Sequence, residues 1–125
     1  MRKERRKHKR LALNFKAKLM HDGGLVLNGV TRNISFGGAF IELEGVPQVL
    51  KDDYFNLVLL GKVEFTCCVV HSNPDGIGFK FDFILIKYYE HFKKVMLSNT
   101  GDPDRLIKEL GRWGKLYINS LQVCK

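Results

Sequence analysis

Polar side chains and glycines meet in one hexapeptide of the chain, NISFGG at residues 33–38. On an extended backbone Asn33 and Ser35 leave the same face, whereas Ile34 between them leaves the other. The two glycines that follow allow positive φ and leave no Cβ in the path of a ligand that approaches the backbone. This arrangement suits a flat, hydrogen-bonding ligand. The alternative is an Asx or Ser turn between strands, capped by glycine, and for the hexapeptide alone that alternative is the stronger one.

Positive charge is concentrated at the start of the chain. The 125 residues carry a formal net charge of +8, and residues 1–10 hold seven Lys or Arg against one Glu, a net charge of +6. The rest of the chain is therefore nearly neutral. Basic arms of this kind usually meet phosphates in nucleic acid, anionic lipid or a nucleotide. The alternative is a solvated tail that only improves solubility.

Two arginines in this arm stand four residues apart, Arg6 and Arg10. A predicted β-hairpin separates them from the hexapeptide, and a hairpin returns the chain to the end at which it began, so the two motifs should be neighbours in space. The planar guanidinium group can bind guanine O6 and N7 in a bidentate manner or clamp a phosphate. Together the arm, the polar strand face and the glycines predict a site for an anionic guanine nucleotide.

Alternating hydrophobicity predicts the strands that must position these residues. Residues 11–20 place Leu11, Leu13, Phe15, Ala17 and Leu19 on one face. This period of two indicates a half-buried strand. Five further strands are predicted, with turn residues between them, at 25–32, 39–43, 54–60, 62–71 and 77–81. Many short strands with frequent turns predict a closed antiparallel barrel or a sandwich.

The period then changes to that of an amphipathic helix. Apolar residues recur at helical spacing from Leu85 to Met96, which predicts a helix packed over the barrel. Asp102 and Pro103 suit the N-cap and first position of a second, short helix that extends to Leu110. We expect Trp113 to pack back onto the barrel or the first helix. The predicted organisation is a basic arm at 1–10, a barrel with its helix at 11–100, and a C-terminal extension at 101–125.

The sequence contains no catalytic constellation, no metal-ligand spacing and no P-loop or dinucleotide fingerprint. Ser35 has no base nearby in sequence and is interpreted as a hydrogen-bonding group, so we expect no catalytic residues, no metal site and no cofactor. The three cysteines lack the spacing of a disulfide framework, no apolar run reaches about 20 residues, and no signal peptide is apparent. A reduced, cytoplasmic compartment without a membrane span is expected.

The paired motifs resemble those of PilZ domains, bacterial receptors for cyclic di-GMP. The family pattern RxxxR is matched by RKHKR at 6–10, and (D/N)xSxxG is matched by NISFGG at 33–38. GGAFI at 37–41 and IGFKF at 77–81 are also similar to strands of the family, and the resemblance covers about residues 3–98. It implies a six-stranded antiparallel barrel, mainly β, followed by a C-terminal α-helix. It also implies a non-enzymatic receptor that signals to an unidentified downstream protein partner.

The family's ligand-binding roles carry over to five residues: Arg6, Arg10, Asn33, Ser35 and Gly38. Asn33 stands where many members have Asp, and an amide can donate as well as accept hydrogen bonds, so its pairing with guanine can differ in detail. Arg5 adds a third guanidinium, which could stack on a second nucleotide. We therefore predict that cyclic di-GMP binds as a pair, two nucleotides per chain.

Two other functions are compatible with a basic arm. A nucleic-acid-binding barrel could use the arm as an electrostatic clamp, but it would need exposed aromatic residues on a strand face, and most aromatic residues here are directed to the core. A membrane-surface anchor could bind anionic lipid by charge alone, but the arm lacks apolar residues for insertion. Both are weaker interpretations than a nucleotide receptor.

Overall fold

The computed structural model describes residues 11–21, 23–84 and 86–108. Six strands and one helix are assigned in chain order: β1 Lys16–Met20, β2 Val26–Ile34, β3 Gly38–Glu42, β4 Tyr54–Leu59, β5 Val63–Asn73, β6 Gly76–Ile84 and α1 Ile86–Ser98. All strand pairs are antiparallel, and the strands close in the order β1-β2-β3-β6-β5-β4. The predicted six-stranded antiparallel barrel with a C-terminal helix is confirmed.

Pairing between β1 and β4 closes the barrel, with Ala17 opposite Leu59 and Leu19 opposite Leu57. These four side chains are buried, so the inward face that the alternation predicted for β1 is the face that lies in the core. The exposed residues Lys16 and Lys18 leave the opposite face. Closure thus buries the inward-facing apolar side chains of the strands in one shared interior.

The first predicted strand is too long at its start. Regular pairing begins only at Lys16, and Leu11 forms an isolated bridge to Ile34. Between them the chain turns, since the Leu13 N–H donates to the Leu11 carbonyl at 2.9 Å. Five residue steps on this segment, from 11 to 16, face four steps on β2, from 34 back to 30. The additional residue cannot fit a regular ladder, so the strand is interrupted.

Helix α1 packs on the barrel through Phe92 and Met96, both buried. The Phe92 ring meets Phe65 of β5 edge-on at 4.9 Å between centroids and Phe36 at 5.8 Å. At the exposed margin the Tyr88 hydroxyl donates to a Glu64 carboxylate oxygen at 2.8 Å. The amphipathic spacing therefore predicted both the helix and the side it buries.

A second helix begins at residue 103 and continues to residue 108, the last described residue. The Asp102 side chain caps it, because its Oδ1 accepts the Arg105 N–H at 3.2 Å. Leu106 is fully buried and belongs to the hydrophobic core. The start of the C-terminal extension thus packs on the domain, whereas Trp113 lies outside the described residues.

Candidate functional site

The first described residue pairs with the centre of the polar hexapeptide. The Leu11 N–H donates to the Ile34 carbonyl at 2.7 Å, and the Ile34 N–H donates to the Leu11 carbonyl at 2.9 Å. This exchange of both bonds is the close pairing of an antiparallel ladder. Leu11 directly follows the RxxxR motif in the chain, so the pairing places the residue after that motif next to Asn33 and Ser35. That the arginines themselves lie beside the hexapeptide stays a prediction.

β2 bulges where the hexapeptide begins. Thr31 pairs with Ile41 and Asn33 pairs with Phe40, so Arg32 is an extra residue without a position in the ladder. Bulges bend a strand and redirect its side chains, and they are frequent beside binding sites. Here the bulge reverses the alternation, so that Ile34 is fully buried whereas Asn33 is half-buried on the outer face.

Arg32 spreads over the outer face beside Asn33. Its guanidinium carbon lies 4.6 Å from the centroid of the Phe40 ring, and its Nε donates to Glu42 at 2.8 Å. A second carboxylate, that of Asp75, lies 3.6 Å from Nη2. The hydrogen bond with Glu42 raises the pKa of Arg32. The guanidinium therefore remains charged and covers the Phe40 ring, which explains why an outward-facing phenylalanine is only 4% exposed.

On the outer face, Asn33 begins a row of paired residues that continues across three further strands. Asn33 of β2 pairs with Phe40 of β3, which pairs with Gly78 of β6, and Gly78 pairs with His71 of β5. The His71 ring lies over Gly78, at 5.8 Å from Phe40 between centroids. A Cβ at residue 78 would lie 2.4 Å from that ring, so glycine is required for the histidine to lie flat against the sheet.

The Ser35 side chain holds the turn that follows β2. Its Oγ accepts the N–H groups of Gly37 at 3.1 Å and Gly38 at 3.2 Å, and it lies 3.4 Å from the Gly38 carbonyl to which it donates. The Ser35 N–H also donates to that carbonyl, at 2.8 Å. Ser35 is 5% exposed. The serine turn weighed as the alternative for this hexapeptide is therefore present.

Gly38 lies where two strands approach one another closely. Positive φ occurs among the described glycines at residues 24, 45 and 61, not at Gly37 or Gly38. A Cβ on Gly38 would lie 2.1 Å from the Phe79 carbonyl oxygen of β6. The absent side chain lets β3 and β6 approach one another, and a role of Gly38 in clearing a path for a ligand stays a prediction.

Phe36 joins the turn to the core. It is fully buried although both of its neighbours in the chain belong to the turn. Its ring meets Phe92 of α1 edge-on. The Gly37 carbonyl accepts the Phe81 N–H at 2.9 Å, which fastens the same turn to β6. The turn is thus a packed element between the outer face and helix α1.

Thr31 is a site residue that the sequence analysis did not single out. It is fully buried and polar. Its hydroxyl donates to the Leu13 carbonyl at 2.5 Å and accepts the Phe15 N–H at 2.7 Å. The signal was available, because Thr31 continues the inward positions Leu27 and Gly29 of β2 with a polar group, and a buried hydroxyl requires partners.

The described residues contain little that could serve as a catalyst. Burial raises the pKa of the Cys67 and Cys68 thiols, so neither is an activated nucleophile. Among the described residues no group of three or more His, Cys, Asp or Glu could hold a metal ion. Within the same part of the chain, no helix is long and apolar enough to cross a membrane.

The predicted ligand residues divide into two sets. Asn33, Ser35 and Gly38 lie together at the end of β2 and in the turn to β3. Arg5, Arg6 and Arg10 lie outside the described residues. Their positions relative to the turn stay a prediction, to which the pairing of Leu11 gives a starting point.

The family model described as PilZ domain matches residues 4–97, three quarters of the chain. The chain belongs to the PilZ domain family. A comparison with curated proteins found no match.

Solved structures share the PilZ fold at low identity. The chain is similar to the inhibitor of motility MotI/DgrA of Bacillus subtilis, with a TM-score of 0.58, 15% identity, and 73% of this chain and 49% of that chain covered. It is similar to YcgR of Escherichia coli in complex with c-di-GMP, with a TM-score of 0.61, 13% identity, and 76% and 46% covered. The PilZ domain of CeSA from a cellulose-synthesizing bacterium gives a TM-score of 0.52, 17% identity, and 73% and 94% covered. The chain thus spans about half the length of the first two proteins.

Proposed function

We propose that this PilZ domain is a non-enzymatic receptor for cyclic di-GMP. The observation that carries the proposal is the two-bond pairing with Ile34, inside the second motif, of Leu11, the residue that follows RxxxR in the chain. YcgR, which shares the fold, is a protein whose structure contains c-di-GMP. We infer a bacterial, cytoplasmic protein, because cyclic di-GMP, the ligand of PilZ domains, is an intracellular messenger.

The proposed site combines the arm with the outer face of the β2–β3 turn. Arg6 and Arg10 bind guanine edges or phosphates through their forked guanidinium groups. Asn33 binds the base from the outer face, while Ser35 and Gly38 hold the turn on which the base rests. Because the Ser35 hydroxyl already serves two N–H groups and one carbonyl, its part in binding is to keep this surface in shape.

Nucleotide binding by the arm suits a switch. Ordering five residues costs about 1–2 kcal/mol each in backbone entropy. A hydrogen bond to a charged group contributes about 1.5–3 kcal/mol. Several such bonds are needed to offset the cost, so the arm closes over the site only with ligand and then presents a new surface to a downstream protein partner. In this organisation residues 1–10 form the arm, 11–100 the receptor barrel with α1, and 101–125 an extension.

Titration calorimetry with cyclic di-GMP tests the proposal, with single-stranded DNA and anionic vesicles as competing ligands in the same buffer at two salt concentrations. We expect saturable binding of the nucleotide. Changing Arg6 or Arg10 to Ala should weaken it by about 1–3 kcal/mol without changing the melting temperature of the ligand-free protein.

A variant with Lys7→Ala and Lys9→Ala is the matched control, because it removes the same charge as the double arginine variant from the same segment. It should retain most of the affinity. Equal losses in the two double variants, or parent-like binding by the double arginine variant, would show that the arginines are not the specific contacts.

Stoichiometry tests the role of Arg5. The two motif arginines cover only part of a ligand that has two guanines and two phosphates, and a third guanidinium can stack on a second nucleotide. The binding ratio should be about two for the parent and about one for Arg5→Leu, since the variant lacks the cation that supports the pair. A ratio of one nucleotide per chain for the parent would contradict the role of Arg5 in binding a second nucleotide.

A further inference from the structure

The segment between Leu11 and β1, which follows the basic arm in the chain, is held by one strand residue. Four hydrogen bonds connect Thr31 to residues 13–15. Its hydroxyl bonds to the Leu13 carbonyl and the Phe15 N–H, its N–H donates to the Phe15 carbonyl at 2.9 Å, and its carbonyl accepts the Asn14 Nδ2 at 2.8 Å. These residues separate the regular start of β1 from Leu11.

The hydroxyl acts where the ladder between β1 and β2 fails. On the β1 side the chain has one residue more than β2 between the Lys16–Val30 pair and the Leu11–Ile34 pair. Backbone pairing alone therefore leaves the Leu13 carbonyl and the Phe15 N–H out of register. The Thr31 side chain replaces the missing ladder partner for both, inside a fully buried position where an unpaired group would be costly.

This arrangement determines where Leu11 pairs with β2. A different path for residues 12–15 would move Leu11 along β2, and a shift of one residue would turn the preceding side chains to the other face. Thr31 lies two residues before Asn33 on the same strand, so one short segment carries both the base-binding amide and the support of the arm. The bulge at Arg32 separates the two and places Thr31 inside and Asn33 outside.

We propose that Thr31 is a positioning residue for nucleotide binding, which sets the register of the arm so that the RxxxR arginines reach the ligand at Asn33. This inference rests on the proposed function. Thr31 is buried and would not touch the nucleotide, so it would affect the affinity only through the position of the arm. A purely structural threonine would affect stability alone.

A double-mutant cycle between Thr31→Val and Arg10→Ala separates these roles. Affinity for cyclic di-GMP is measured by calorimetry for the parent, both single variants and the double variant, at a temperature at which melting curves show each to be folded. If Thr31 positions the arm, Arg10→Ala weakens binding about tenfold or more in the parent and less than about threefold in the Thr31→Val background. Thr31→Ser, which keeps the hydroxyl, restores the parent's response.

Two further variants keep the test independent of folding. Asn14→Ala removes one of the four hydrogen bonds, the one that the exposed Asn14 side chain donates to Thr31. Its coupling energy with Arg10→Ala should have the same sign as that of Thr31→Val but be smaller. Thr66→Val makes the same chemical change on β5, away from the arm, and should leave the affinity unchanged.

Equal costs of Arg10→Ala in every background would overturn the inference, as would a loss of affinity in Thr66→Val equal to that in Thr31→Val. A parent protein that does not bind the nucleotide would instead overturn the proposed function. The two failures are therefore distinguished by the first titration.

Discussion

The turn between β2 and β3 and the turn between β4 and β5 both reverse the chain within a few residues, but different forces hold them. In the second turn Leu60 and Gly61 have φ of 57° and 74°, and the Lys62 N–H donates to the Leu59 carbonyl at 3.1 Å. Positive φ at both central positions is what a type I′ hairpin turn requires. Backbone conformation and main-chain hydrogen bonds close this turn.

The turn from Ser35 to Gly38 has no residue with positive φ. The Ser35 hydroxyl takes the place of that conformation, and the turn buries Phe36 in the core instead of exposing its central residues as the other turn does. A turn held by side chains and packing presents a fixed outer surface, whereas a turn held by backbone alone only connects two strands. The ligand residues predicted from the sequence, Asn33, Ser35 and Gly38, lie at the first of these turns.

Gly38→Val should have the largest effect. The new Cβ would meet a backbone oxygen of β6 at 2.1 Å. Overpacking against a backbone atom of a closed barrel should cost more than about 3 kcal/mol of unfolding free energy. Urea denaturation measures it, with Gly101→Val as control because a Cβ there meets nothing within 4 Å. A Gly38→Val protein that is folded but does not bind the nucleotide would show that the glycine mainly leaves room for the ligand.

Ser35→Ala should have an intermediate effect. It removes the acceptor for the N–H groups of Gly37 and Gly38, and leaving buried donors unpaired costs about 1–3 kcal/mol. Stability and nucleotide affinity should fall together, since the hydroxyl shapes the surface that the ligand contacts. Ser72→Ala on an exposed position of β5 is the control. A variant of Ser35 that loses affinity at full stability would instead identify the hydroxyl as a direct ligand contact.

Leu60→Asn should have the smallest effect, and one of opposite sign. A leucine with positive φ is strained, whereas Asn followed by Gly is preferred in this turn. The substitution should stabilise the protein by about 0.5–1 kcal/mol without changing nucleotide affinity. Thermal melting and calorimetry check both expectations, and a change in affinity would mean that the two turns are not independent.

Local patterns were sufficient to predict most of the fold. Alternation predicted which side chains of β1 enter the barrel, and helical spacing predicted the buried face of α1 that contains Phe92 and Met96. For the candidate site, the sequence predicted which residues belong to it but not how they are arranged. The bulge at Arg32 depends on the partner strand, and the neighbour that requires Gly38 to be glycine is Phe79, 41 residues further along the chain. Such long-range pairings leave no period in the sequence from which they could be inferred.

Closure of the barrel limits how another protein can recognise this domain. Each of the six strands has two strand neighbours, with β1 joined to β4, so the described barrel offers no free edge that could be extended by a strand from another chain. Main-chain pairing across an edge is a common and weakly selective mode of association. A partner of the barrel must instead bind side chains on its outer surface. The same closure protects the barrel from edge-to-edge aggregation.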